Sequence, residues 1–115
     1  MLPKTQRLNL KKDFKWVASG KKLETKYLKI FVKYGDPSAS SGPRVGIATS
    51  AKNFKKAIDR NRARRLVSQA FQSTIQLLPS NINIVALPKP GVLSVKSVDI
   101  LSDLEELLKD EKLIN

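Results

Sequence analysis

Between about Ala57 and Leu78 the spacing turns helical: Ala63, Leu66, Ala70, Thr74 and Leu77 share a face with Val67, Phe71 and Leu78. At about 100° per residue, Asn61, Arg62, Arg65, Ser68, Gln69 and Gln72 fall together on the reverse side. A helix divided in this way must bury one side and leave the other in water. The rest of the chain therefore has to supply an apolar layer beneath it. With 115 residues there is enough chain for one such two-layer core and not for two. One domain over residues 1–115 is the expectation.

The other segments can supply that layer. Asn9 is placed to cap a short helix through Ser19, with Leu10, Phe14, Val17 and Ala18 on one face and Gly20 to end it. From Tyr27 to Tyr34 the residues alternate as a half-exposed strand does, Leu28, Ile30 and Val32 against Tyr27, Lys29, Phe31 and Lys33. Residues 35–43 are turn formers and make a loop. Arg44 to Ser50 reads as a strand with Val45, Ile47 and Thr49 on one side. Pro79 with Ser80-Asn81 stops the long helix, and Ile82 to Leu87 is apolar enough to be a buried strand, ended by Pro88, Pro90 and Gly91. Ser94 is placed to cap a last helix, with Val98, Leu101, Leu104, Leu107 and Leu108 toward the core and Asp99, Asp103, Glu105 and Glu106 toward water. The expected fold is an α/β (α+β) two-layer sandwich, a small mixed sheet with helices on one face, in the order α-β-β-(β)-α-β-α. The other sheet face is then left partly uncovered.

Charge narrows the function. The chain carries 22 Lys and Arg against 10 Asp and Glu, a net +12 that draws polyanions such as RNA, DNA or anionic membranes. Residues 1–65 hold 18 basic and 4 acidic side chains, net +14, whereas residues 66–115 hold 4 and 6, net −2. Without cysteine or histidine there is no disulfide framework, no thiolate zinc site, and no Ser-His or Cys-His nucleophile. The first residues are polar and basic, without the apolar run of a secretory signal or membrane span, so a cytoplasmic location is expected.

The densest basic run goes from Ser50 to Arg65, a strand end leading through Lys52, Lys55 and Lys56 into a helix start with Arg60, Asn61, Arg62, Arg64 and Arg65. A solvated helix face is the plain alternative. Against it, each cation near a helix N-terminus opposes the helix dipole by about 0.3–1 kcal/mol, a cost that an anionic partner would offset. Arginine suits such a partner because its guanidinium forks two donors onto one phosphate.

Arg60-Asn61-Arg62 followed by Arg64-Arg65, the strand Arg44-Val45-Gly46-Ile47, the turn at Ser50-Ala51-Lys52, and the flanking Leu66 and Ala70-Phe71 resemble the central segment of bacterial ribonuclease P proteins. Leu2-Pro3, Arg7-Leu8, Asp13-Phe14 and Lys26-Tyr27-Leu28 agree in order and spacing, so the resemblance spans most of the chain. There are departures. No Gly lies between Lys52 and Lys56, where the family often has one, and the turn is longer; Ala18 stands where an aromatic is common; and Ala86-Leu87-Pro88 lacks a usual Arg.

The resemblance implies a left-handed βαβ crossover, an exception to the usual hand. It also implies a protein subunit of a ribonucleoprotein that assists removal of the 5′ leader from precursor tRNA. The catalyst would be the RNA subunit, with Mg²⁺ held mainly by that RNA and no catalytic or metal-binding residue in the protein. By position, Ser50, Lys52, Arg60, Asn61, Arg62, Arg64 and Arg65, with Lys55 and Lys56 of the same run, would face the catalytic RNA. Phe14, Trp16, Tyr27 and Phe31 would bind the leader, since any base can stack on an aromatic ring beside lysines. Phe14 and Trp16 have the competing reading of core residues, and Tyr27 that of closing a strand edge.

A structural or ribosomal RNA-binding protein could share this size, charge and fold. A protein-only nuclease is disfavoured, because Asp13, Glu24, Asp36 and Asp59 are the only carboxylates of the basic region and their spacing suggests no two-metal cluster. Membrane-surface binding is weaker still, because the basic helix has an ordinary core face.

Overall fold

The computed structural model describes residues 7–35, 42–79 and 81–111. Leu2-Pro3, the middle of the loop over residues 35–43, and Ser80 lie outside them. Helix α1 (Leu10–Ala18) starts at Asn9, whose side-chain oxygen accepts from the Lys12 amide at 3.3 Å. Gly20 closes it through a bond from its amide to the Val17 carbonyl at 2.9 Å. Strand β1 (Lys21–Glu24) follows, a short strand with no counterpart among the segments read from the residue pattern. Thr25 Oγ1 then accepts from the Tyr27 and Leu28 amides at 3.2 and 2.9 Å, turning the chain into strand β2 (Leu28–Tyr34).

Strand β3 (Arg44–Ile47) ends short of the expected Ser50, although the Ala48 amide still donates to the Ala86 carbonyl at 3.0 Å. Helix α2 (Ala57–Thr74) runs into a single 3₁₀ turn at Ile75–Leu77. Strand β4 (Ile82–Pro88), a second 3₁₀ turn (Pro90–Ser94) and helix α3 (Ser97–Asp110) complete the described fold. The sheet order is β1-β2-β4-β3, with β3 parallel to β4 and the other pairs antiparallel. Helix α2 thus makes the crossover of a βαβ unit whose two strands are neighbours.

Burial follows the pleat. Leu28, Ile30 and Val32 of β2 join Ile82, Ile84 and Ala86 of β4 beneath α2 and α3, which contribute Ala63, Val67, Phe71, Ile100, Leu104 and Leu108. Val85 points the other way, into a second cluster with Leu8 and Val17. That is why β4 reads as nearly continuous apolar sequence: it is covered on both sides. Helices α2 and α3 share one sheet face as expected, while α1 lies across part of the opposite face. Gly46 makes room for it, since a Cβ there would come within 2.6 Å of a Leu10 methyl.

Several side chains differ from expectation. Ser68 is buried, because it sits on the shoulder of α2 beside a cavity of about 140 Å³ lined by Leu8, Leu10, Val45 and Gly46. Leu77 is 57% exposed, turned out by the tighter winding of the 3₁₀ turn. Ser94 does not cap the last helix; it ends the turn begun at Pro90. Helix α3 instead starts after Lys96, whose amide donates to the Asp99 carboxylate at 3.0 Å. Val98 is 62% exposed, and Ile100, a position outside the expected apolar row, takes the central core place.

Two glycines give a contrasting pair of variants. A Cβ on Gly20 would run into the Val32 carbonyl oxygen, a backbone atom fixed by the sheet, whereas a Cβ on Gly46 meets mainly the free end of a leucine. Gly20→Ala should therefore destabilise by about 1–3 kcal/mol, the scale of overpacking, and Gly46→Ala by less because Leu10 can turn aside. Urea unfolding of both variants measures this, and the reverse ranking would contradict the packing described.

Candidate nucleic-acid interface

The basic turn from Ser50 to Lys56 contains neither Gly nor Pro, so its path is imposed by tertiary contacts rather than by intrinsic turn preference. The Asn53 amide donates to Ser50 Oγ at 3.1 Å, and the Phe54 amide to the Ser50 carbonyl at 2.9 Å. Phe54 is 2% exposed and anchors the middle of the turn in the main core. The sequence shows this segment as one basic run and does not single out the anchor; a lone large apolar residue among six polar or small ones is the available signal. With Phe54 held inward, Lys52, Lys55 and Lys56 are exposed.

The arginines of α2 divide by helical phase. Arg62 and Arg65 lie on the exposed outer side with Asn61. Arg60 and Arg64, one helical turn apart, lie on the shoulder next to the core and are half-buried. Arg60 Nη1 donates to the Phe54 and Lys55 carbonyls at 2.8 and 3.3 Å. Arg64 donates from Nη2 to Thr49 Oγ1 at 3.1 Å and from Nη1 to Asn61 Oδ1 at 3.4 Å, tying α2 to the chain just beyond β3. Helix α2 begins at Lys56 without a side-chain cap, with Asp59 the acidic residue of its first turn. Among the described residues the ion pairs are Lys21–Glu111 and Lys89–Glu24, so none involves a cation of this cluster.

The aromatic residues fall into separate places. Phe14 of α1 and Phe31 of β2 are half-buried and pack together on the second core cluster of Leu8, Val17 and Val85, with Leu10 and Leu87 alongside. Strand β1 sets Lys22 directly opposite Phe31, and Lys29 stands opposite Leu87. Directly paired residues share a sheet face, so cations border the aromatic pair. Trp16 is two positions from Phe14, about 200° around the helix, and therefore lies on the other flank of α1. It is 41% exposed, with Lys33 Nζ 5.1 Å from its ring centroid. Lys33 also donates to Ser19 Oγ at 2.9 Å. Tyr27 packs at the edge of the main core instead, with Lys26 Nζ 5.6 Å from its ring. Phe14 and Phe31 thus pack against one cluster, Trp16 lies by Lys33 two residues along β2 from Phe31, and Tyr27 borders the other core.

Among the described residues no three His, Cys, Asp or Glu side chains come together in a way that could hold a metal ion. Nor is any described helix long and apolar enough to cross a membrane.

A family model described as Ribonuclease P matches residues 2–112. The chain is 35% identical over 94 residues to a ribonuclease P protein component of Nitrosococcus oceani, covering 81% of this chain and 76% of that protein. It is 35% identical over 104 residues to one from Legionella pneumophila, covering 90% and 86%. Its fold is similar to that of a ribonuclease P protein from Thermotoga maritima, solved with a fluorophenyl thiourea, at TM-score 0.76 and 27% identity over 90% of this chain and 97% of that one. A Staphylococcus aureus ribonuclease P protein mutant has the same fold at TM-score 0.80, with 20% identity over 96% and 92%. With a family match over nearly its whole length, and an exposed basic face built on the residues that carry the resemblance, the chain belongs to the bacterial ribonuclease P protein family, whose members are protein components of that enzyme.

Proposed function

We propose that this chain binds the catalytic RNA of ribonuclease P through the basic turn and the outer side of α2, and holds the 5′ leader of precursor tRNA at Phe14 and Phe31. The RNA with its Mg²⁺ cleaves the phosphodiester in the cytoplasm; the protein neutralises phosphates and positions the substrate. The observation that carries this reading is the exposed set Lys52, Lys55, Lys56, Arg62 and Arg65, which lacks ion-pair partners among the described residues. Cations left without ion-pair partners suit counterion release from a folded RNA, the main source of such affinity. Ser50 and Asn61 add exposed polar groups to the same surface.

The leader assignment rests on Phe14 and Phe31 being half-buried rather than buried, with Lys22 and Lys29 beside them. A partly open ring offers a face or edge to any base while nearby ammonium groups follow the backbone. Trp16 and Tyr27 lie outside that pair and have no assigned part in it. A structural or ribosomal RNA-binding protein is the competing reading; it would use the basic face and have no use for a leader.

Changing Arg62 and Arg65 together to Ala should weaken binding to a bacterial ribonuclease P RNA, and should lower the log-log salt slope by about 0.7–0.9 for each phosphate no longer neutralised. Binding titrations across a salt series measure this. An unchanged slope in a folded variant would remove this face from the interface.

Phe14→Ala and Phe31→Ala should each weaken binding of precursor tRNA to the reconstituted holoenzyme by roughly 1–3 kcal/mol per stacked base. Mature tRNA, which has no leader, should bind as before. Equal weakening for both RNAs, with circular dichroism unchanged, would return these rings to a packing role.

A further inference from the structure

We infer that Arg60 is a positioning residue for the basic turn, presenting Lys52, Lys55 and Lys56 through the turn's backbone, and makes no phosphate contact of its own. This rests on the reading that the turn binds the catalytic RNA, and it separates Arg60 from the arginines beside it in sequence.

Three holds define the turn. At its start the Ser50 hydroxyl and carbonyl accept from the Asn53 and Phe54 amides. In its middle Phe54 is inserted into the core. At its end the Arg60 guanidinium reaches back to the Phe54 and Lys55 carbonyls. Those carbonyls lie between a buried anchor and the uncapped start of α2, where no helical bond satisfies them. A charged donor is a strong partner for them, and the bond to Phe54, at 2.8 Å, has the length of a charge-assisted one. With no glycine or proline to preset the path from Ser50 to Lys56, loss of one hold frees the segment that carries three cations. Helical phase agrees: Arg60 faces the shoulder of α2, while Arg62 and Arg65 face outward.

Both bonds leave from the same terminal nitrogen, Nη1. Citrulline keeps one terminal NH₂ on a side chain of the same length and loses the charge, so it can preserve the brace while abolishing a phosphate contact. The test uses the full chain with a bacterial ribonuclease P RNA over a salt series, comparing Arg60→citrulline, Arg60→Ala and Arg62→citrulline. Amide hydrogen exchange is followed in the free proteins. Arg60→citrulline should keep the wild-type salt slope and lose less affinity than Arg60→Ala, whereas Arg62→citrulline should lower the slope by about 0.7–0.9. Arg60→Ala should lose roughly tenfold in affinity, the scale of one hydrogen bond to a charged group, and should speed exchange of the Asn53 and Phe54 amides without RNA present. The inference is overturned if Arg60→citrulline lowers the slope as Arg62→citrulline does, or if Arg60→Ala leaves exchange and affinity unchanged. Should the wild-type chain itself bind this RNA without salt dependence, the RNA reading fails, and the exchange data on free protein still decide the brace.

Discussion

The basic face depends on the seam beneath α2, where Ala63, Val67 and Phe71 are fully buried against the sheet. A helix with that underside has one rotational setting. Turning it by one residue, about 100°, would carry Phe71 toward water and an arginine toward the core. Emptying the Phe71 site alone would cost about 3–5 kcal/mol, a large part of the net stability of a small domain. The exposed positions of Arg62 and Arg65 are therefore consequences of core packing. So is the division among the arginines, since Arg60 and Arg64 occupy the shoulders where backbone carbonyls and Thr49 are within reach.

The sheet separates two surfaces. Helices α2 and α3 cover one face, and the basic turn leads into α2 on that side; α1 with Phe14 and the outward side of β2 with Phe31 occupy the other. In the proposed function a catalytic RNA and a leader would then meet different sides of one layer and need not compete. Strand β4, buried on both faces, is the shared wall. The arrangement also accounts for Gly46, which lets α1 approach β3 closely.

Much of this is legible in the sequence because it follows from period and punctuation. The apolar rows of β2, α2 and β4 predict their buried faces, and Asn9 and Gly20 mark the ends of α1. What is not legible depends on partners distant in sequence. Strand β1 offers one buried residue, Leu23, and is an edge strand held by backbone pairing to β2, so its composition carries little signal. The start of α3 lies beyond the Ser94 that the sequence offers as its cap, because Asp99 caps the helix from inside and leaves Ser94 to a 3₁₀ turn. At the candidate site the run from Arg60 to Arg65 is visible, and helical phase already sets Arg62 and Arg65 on the outer side. What spacing does not encode is the partners that Arg60 and Arg64 meet on the shoulder, the Phe54 and Lys55 carbonyls and Thr49. Trp16 and Phe14 are close in sequence, yet helical phase puts them on opposite flanks.

In the proposed function the chain works by holding RNA for an RNA catalyst. The most direct measurement is cleavage of precursor tRNA by a bacterial ribonuclease P RNA at low Mg²⁺, with and without this protein, beside a control containing the protein alone. Protein and RNA combined should release the leader faster than the RNA without protein, and the protein alone should release none. Unchanged cleavage despite RNA binding, or cleavage by the protein without RNA, would contradict the proposed function.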